Sequence, residues 1–164
     1  MQPPPIREEV TGNSYTNDTY AFRMYKPPDW DVIASAQTIL PGAVAAMGTQ
    51  DQTTYLIIGV EPVGKSTGES VTHSIEATEK RLSGMLENFR DTGEDQITIS
   101  GLSAVEKHFH GGADGRDWSG VMVFLPRAGN LYTIFGMTYA DSDLVQIQEN
   151  VIGRAISSLQ FLPQ

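Results

Sequence analysis

The sequence predicts an α+β fold in which an antiparallel sheet of about six to eight strands lies between two helices, as a three-layer α/β/α sandwich. Three observations support this class. The central strands are apolar at successive positions, which predicts that both faces of the sheet are covered. Two later segments repeat apolar residues at the 3.6-residue period of amphipathic helices. Short turn sequences join neighbouring strands, which favours antiparallel hairpins.

The stretch Gly115–Thr138 predicts the central hairpin, with a turn over Pro126–Asn130 where Gly and Asn tolerate a tight reversal. Alternate residues of its strands form one apolar set, Trp118, Met122, Phe124, Leu131, Phe135 and Met137. The residues between them form a second apolar set, Val121, Val123, Leu125, Tyr132 and Ile134. An antiparallel hairpin with one face in water would alternate apolar with polar residues, so each set is expected to face another layer.

Two hairpins are predicted before the first helix. Asn13–Thr16 and Thr19–Tyr25 flank the turn pair Asn17-Asp18, and Val44–Thr49 and Thr54–Val60 form the second hairpin. Trp30, between the two hairpins, is expected to cover the core.

The first helix is predicted from Ser70, a suitable N-cap, to Phe89, where Thr92-Gly93 end it. Its apolar stripe consists of Val71, Ile75, Thr78, Leu82, Leu86 and Phe89. Strands are predicted near Gln96–Ser100 and Ala104–His110, before the central hairpin. The second helix is predicted from Asp141 or Ser142 to about Leu159, with a buried stripe of Leu144, Ile147, Val151, Ala155, Ile156 and Leu159.

Length and composition limit the possible classes. A chain of 164 residues predicts a single domain, assigned to residues 13–164, after a flexible, proline-containing lead-in over residues 1–12. The absence of cysteine excludes disulfides and thiolate chemistry. The formal net charge of -9 argues against nucleic acid as a partner, and no apolar run approaches the roughly 20 residues that span a bilayer. The polar start suggests an exported protein whose leader has been removed; a cytoplasmic location is the alternative.

The stretch Gly59–Ser66 matches the phosphate-loop pattern G-x-x-x-x-G-K-[ST]. A functional loop of this kind needs a helix that begins at its lysine, so that backbone amides surround the phosphates. Here helical periodicity begins only after Gly68, and the antiparallel hairpins contradict the βαβ setting. The stretch is therefore predicted to be inert toward nucleotides.

Glu106, His108 and His110 alternate along a predicted strand, so their side chains are expected on one face. Two imidazoles and a carboxylate are suitable ligands for Zn²⁺. The alternative is a solvated strand face leading into the glycine- and aspartate-rich loop Gly111–Asp117.

Several landmarks resemble PsbP-like, or Mog-like, domains. Tyr15, Asn17, Phe22, Pro27 and Trp30 fit the pattern Y-x-N-x-x-x-x-F-x-x-x-x-P-x-x-W of their opening hairpin. Further similarities lie at Ile99–Ala104, at Leu131-Tyr132 and in the closing segment Ile152–Phe161. The resemblance implies an α/β/α sandwich that serves as a non-enzymatic accessory or binding domain.

We therefore expect a non-catalytic binding domain of a bacterial cell envelope, with a protein or a small ligand as partner. The Gly111–Asp117 loop and residues 31–43 are the expected recognition surfaces. The alternative is a metal-dependent enzyme or metal-binding protein that uses Glu106, His108 and His110.

Overall fold

The structure is a computed structural model that describes residues 5–33, 42–51, 53–62 and 67–163, of which residues 67–70 are described by their backbone alone. Within these residues the strands are β1 (Glu8–Thr11), β2 (Ser14–Asn17), β3 (Phe22–Tyr25), β4 (Trp30–Val32), β5 (Ala43–Thr49), β6 (Thr54–Pro62), β7 (Glu87–Ile99), β8 (Leu102–Ala113), β9 (Arg116–Arg127), β10 (Asn130–Tyr139) and β11 (Gln160–Phe161). Helix α1 (Thr67–Met85) follows β6, and helix α2 (Val145–Ser157) follows β10.

The strands form two antiparallel sheets. The larger sheet has seven strands in the order β4-β5-β6-β10-β9-β8-β7, which confirms the predicted antiparallel sheet and its size. The first predicted hairpin, β2 and β3, belongs instead to a four-stranded sheet in the order β1-β2-β3-β11. Alternation within a hairpin does not specify which sheet the hairpin joins, so the second sheet was not predicted.

The two apolar sets of the central hairpin lie on opposite faces of the large sheet, as predicted. Trp118, Met122, Phe124, Leu131 and Met137 pack with Val71 and Leu82 of α1. Val123, Leu125, Tyr132 and Ile134 pack with Ile152, Ala155 and Ile156 of α2, and with Tyr15, Phe22 and Met24 of the small sheet. The layers therefore form an α+β sandwich in which α1 lies on one face and α2, together with the small sheet, on the other.

Helix α1 ends at Met85, whereas the sequence predicted that it continues to Phe89. Phe89 lies in β7, which begins at Glu87 and pairs with β8 as far as Ile99. Asn88 has a φ of 54°, a left-handed conformation that ends helical hydrogen bonding. Asp91, Thr92 and Gly93, which follow it, are weak helix formers, so the ladder with β8 outweighs the helical period of the apolar residues.

Helix α2 was predicted to start at Asp141 or Ser142 and to bury its whole apolar stripe. It starts at Val145, and Leu144 and Ile147 are 52% and 59% exposed. The helix contacts the sheet through its C-terminal half, where Gly136 leaves room for Ile152. A Cβ at Gly136 would lie 2.6 Å from Cγ2 of Ile152. This close approach fixes which half of the helix is buried, and periodicity alone does not reveal it.

Part of the predicted lead-in is ordered as a strand. Glu8–Thr11 pair with β2, and the amide of Arg7 donates a hydrogen bond of 2.7 Å to Oγ1 of Thr19. Gly12, with a φ of 60°, permits the reversal between the two strands. Glu8–Thr11 therefore belong to the small sheet, whereas the flexibility expected of residues 1–12 and the assignment of residues 13–164 to one domain stay predictions.

The predicted loop Gly111–Asp117 is a two-residue hairpin turn. β8 continues to Ala113 and β9 begins at Arg116, so only Asp114 and Gly115 lie between them, with φ of 55° and 76°. Two consecutive positive φ values are typical of a type I′ turn, for which Asp-Gly is a preferred sequence. The other expected recognition segment, residues 31–43, falls largely outside the described residues.

Candidate functional site

The residues of the predicted metal site lie on β8, on the face of the sheet away from α1. Nε2 of His108 is 2.9 Å from Oε1 of Glu106. His110 lies apart from them, with its Nδ1 3.9 Å from a carboxylate oxygen of Asp117 on β9. The structure therefore brings two of the three predicted residues together.

Asp95 on the neighbouring strand β7 completes a group with Glu106 and His108. One ligand atom from each of these residues lies within 4.8 Å of the others. Asp95 is the register partner of Glu106, and His108 lies opposite Gly93, which has no side chain to cover the imidazole. In the sequence, Asp95 lies between the predicted end of the first helix and the strand predicted near Gln96–Ser100, and only the β7–β8 register could have shown that it approaches Glu106.

Lys107 points to the opposite face of β8 and connects α1 to the sheet edge. Its Nζ lies 2.7 Å from Glu79 of α1, 2.6 Å from Asp91 and 3.6 Å from Glu94 of β7. Burial alone would lower the pKa of Lys107, but hydrogen bonds with Asp91 and Glu79 outweigh burial and raise this pKa above its ordinary value. Lys107 is therefore a charged anchor for α1.

A long groove lies between α1 and the large sheet, on the side of α1 away from Lys107. Its cavity volume is about 540 Å³. The floor is formed by residues of β6, β9 and β10, among them Tyr55, Ile57, Trp118, Phe135 and Met137. One wall is a single side of α1 with the residue that follows the helix, and it includes Ala77, Thr78, Arg81, Leu82, Met85 and Leu86. Most of these groups are apolar, as is usual for small-molecule sites.

A few polar groups lie along this groove. Near the start of α1, the hydroxyl of Ser74 donates a hydrogen bond of 2.8 Å to Glu61. At the other end, the hydroxyl of Tyr55 contacts Sδ of Met137 at 3.3 Å. Burial, with a smaller contribution from Tyr139, raises the pKa of Tyr55 to about 12, so this hydroxyl is neutral in ordinary buffers. Arg81 also lines the groove and forms no hydrogen bond or ion pair with the described residues.

The groove was not predicted from the sequence. Its floor residues were assigned to a core covered by a helix, but Tyr55 and Phe135 are only partly buried. The stretch that matches the phosphate-loop pattern, Gly59–Ser66, begins at the C-terminal end of β6. Residues 59–62 are in the strand, and residues 63–66 lie outside the described residues. The prediction that this stretch is inert toward nucleotides therefore stays a prediction.

The fold is similar to that of several solved structures. No protein-family model matches the chain, and no curated protein matches its sequence. Cyanobacterial PsbP from Synechocystis has 11% sequence identity and a TM-score of 0.66, over 90% of this chain and 91% of that chain. LpqN, which is involved in cell envelope biogenesis of Mycobacterium tuberculosis, has 12% identity and a TM-score of 0.62, over 96% and 92%. The Ran-binding protein Mog1p of Saccharomyces cerevisiae has 7% identity and a TM-score of 0.60, over 96% and 97%.

These likenesses show that the chain has a PsbP/Mog-like α+β fold, which confirms the resemblance in the sequence. At such low identities they establish the fold and not the activity. Neither α1 nor α2 is long and apolar enough to cross a membrane.

Proposed function

We propose that this protein is a non-catalytic binding domain and that it binds a small, largely apolar ligand in the groove beside α1. The cavity carries the proposal, because its volume of about 540 Å³ falls within the range of roughly 300–1,000 Å³ found for ligand sites. Tyr55 and Phe135 of the floor are only partly buried, and a ligand in the groove would cover the apolar surface that they expose.

The structural neighbours support a binding role. One of them, Mog1p, is a Ran-binding protein, so the same fold serves there to bind a partner. The resemblance to LpqN, a protein involved in cell envelope biogenesis, supports an envelope location for this protein as part of the same proposal. Fractionation of the source cells tests the location, and recovery with the cytoplasmic fraction would contradict it.

A neutral fluorescent probe, N-phenyl-1-naphthylamine, tests whether the groove binds an apolar ligand at all. We expect saturable binding to the wild type and a loss of binding in Thr78→Phe, whose ring would occupy the cavity. Ser83→Phe is the matched control, because Ser83 is exposed on the same helix and does not line the groove. Thermal melting of each variant shows whether it remains folded. Equal binding to all three folded proteins, or none to the wild type, would contradict the proposal.

A divalent-metal site is a second candidate function, favoured by the approach of Asp95 to Glu106 and His108 within 4.8 Å. Like charges directly opposite each other across a ladder are destabilising, and a cation between Asp95 and Glu106 would relieve their repulsion. One imidazole and two carboxylates are suitable ligands for Zn²⁺, and three protein ligands leave a coordination position for water. Such a site would serve a metal-binding protein or a metal-dependent enzyme.

Titration calorimetry with Zn²⁺ tests this candidate. We expect micromolar binding that is lost in His108→Ala and in Asp95→Asn. His110→Ala is the matched control and should bind as the wild type does, because His110 lies beside Asp117 and outside the group. Loss of binding in His110→Ala would favour the set predicted from the sequence, Glu106, His108 and His110. No binding to the wild type would remove metal from consideration.

A further inference from the structure

We propose that the groove beside α1 accommodates an extended hydrocarbon chain whose anionic head group pairs with Arg81. This inference rests on the proposed function and specifies the class of ligand. Three features of the groove carry it: its length, the nature of its lining, and the position of its unpaired cation.

The groove is long. Its helical wall runs from His73 to Leu86, which is about 20 Å at a rise of 1.5 Å per residue. Its floor along β6 runs from Tyr55 to Glu61, which is also about 20 Å at 3.3 Å per residue. A groove of this length has room for an extended hydrocarbon chain.

The lining is suited to a flexible apolar chain. The partly buried Phe135 and the exposed Met85 line the groove, together with the buried side chains of Ile57, Leu82 and Met137. Methionine side chains are flexible and adapt to ligands of differing length. The hydroxyl of Tyr55 already contacts Met137, which leaves it less available for a polar ligand.

Arg81 determines the charge of the head group. The carboxylates of the groove lie toward its two ends: Glu61 accepts the hydroxyl of Ser74, and Asp114 is in the turn after β8. Arg81 lies between these ends on the helical wall and has no partner among the described residues. A guanidinium binds a carboxylate or phosphate through two parallel hydrogen bonds, so an anionic head is best bound at this position.

Displacement of N-phenyl-1-naphthylamine by decanoate, decanol and decylamine tests the inference, because the three ligands differ only in their head groups. We expect decanoate to displace the probe from the wild type at an about tenfold lower concentration than decanol. In Arg81→Gln, decanoate and decanol should displace the probe at equal concentrations. Lys80→Gln is the matched control, because it removes a neighbouring exposed cation that does not line the groove. Octanoate should bind more weakly than decanoate, since the shorter chain buries less apolar surface.

The possible outcomes separate this inference from the proposed function. If the probe binds in the groove but no decyl compound displaces it, the ligand class is wrong and the binding site remains. If decylamine or decanol displaces the probe as well as decanoate does, or if Arg81→Gln leaves the preference intact, the role of Arg81 is wrong. If the probe does not bind to the wild type, both proposals fail.

Discussion

Ile152 and Ile147 lie on the same helix, α2, but only Ile152 is buried in the structure. Ile152 is 3% exposed and lies against Gly136 in the centre of the sheet, whereas Ile147 is 59% exposed. Replacing each by alanine removes the same atoms from the same helix. Both substitutions change helix propensity in the same way. The difference between their effects on the free energy of unfolding therefore reports the burial of Ile152.

The expected magnitudes differ by several-fold. Truncation of a buried isoleucine to alanine costs about 2–5 kcal/mol, because apolar contacts are lost and a cavity remains. Ile147→Ala should change the free energy of unfolding by less than about 0.5 kcal/mol, as substitutions at the surface do. For a chain of this size, a loss of about 3 kcal/mol lowers the melting temperature by roughly 6–12 °C.

Urea denaturation followed by circular dichroism gives both free energies, and an unchanged slope would show that the unfolded state is not altered. A second pair on α1 extends the test to the other face, with Leu82→Ala as the buried change and Met85→Ala, at 66% exposure, as its control. Leu82 and Ile152 belong to separate core clusters, so their double variant should be additive within about 0.5 kcal/mol. A cost for Ile147→Ala as large as that for Ile152→Ala would show that α2 is oriented as the sequence predicted.

Three further results are expected. Gly120→Ala should destabilise the fold by about 1–3 kcal/mol, because the new methyl group would overlap the ring of Phe109 across the ladder; a neutral result in urea denaturation would contradict this contact. Asn17→Ala should cost about 1–3 kcal/mol in the same assay, since the buried Asn17 amide donates a 3.2 Å hydrogen bond from the small sheet to a carbonyl of β5. Stability should fall as the pH is lowered through the carboxylate range. Partial burial alone would raise the pKa of Asp91, but hydrogen bonds from Lys107 and a backbone amide outweigh it and lower this pKa in the folded protein. As the pH falls, Asp91 is therefore protonated first in the unfolded chain, near the ordinary aspartate pKa of 3.8, and the folded state loses stability. Lys107→Met should flatten this acid slope, and an unchanged slope would contradict the ion pair.

The double-sided pattern of β9 and β10 was predicted correctly from the sequence because side-chain direction in a strand depends only on the period of two residues. Val123 and Phe124 are both fully buried, yet they belong to different core clusters, and alternation alone assigned each to its face. The antiparallel pairing followed in the same way from the short turns that join the strands.

The candidate sites could not be predicted as reliably, because they depend on register and on docking. Asp95 joins Glu106 and His108 only because β7 pairs with β8 at one particular register, which is shifted by bulges near Gly93. The exposure of Ile147 depends on where α2 contacts the sheet. A helix that packs along half of its length has the same apolar period as one that packs along all of it, so the period does not show which residues are buried.

The position of the groove is related to the width of the large sheet. Seven strands about 4.8 Å apart make a sheet nearly 30 Å wide, whereas one helix with its side chains is about 10 Å across. One helix therefore cannot cover a face of this sheet. On the face that carries α2, the small sheet supplies additional cover through Tyr15, Phe22 and Met24. On the other face, α1 is the one helix within the described residues, and it packs on β9 and β7. Within the described residues, Tyr55 of β6 and Phe135 of β10 beside it remain only partly buried, and they form part of the floor of the groove.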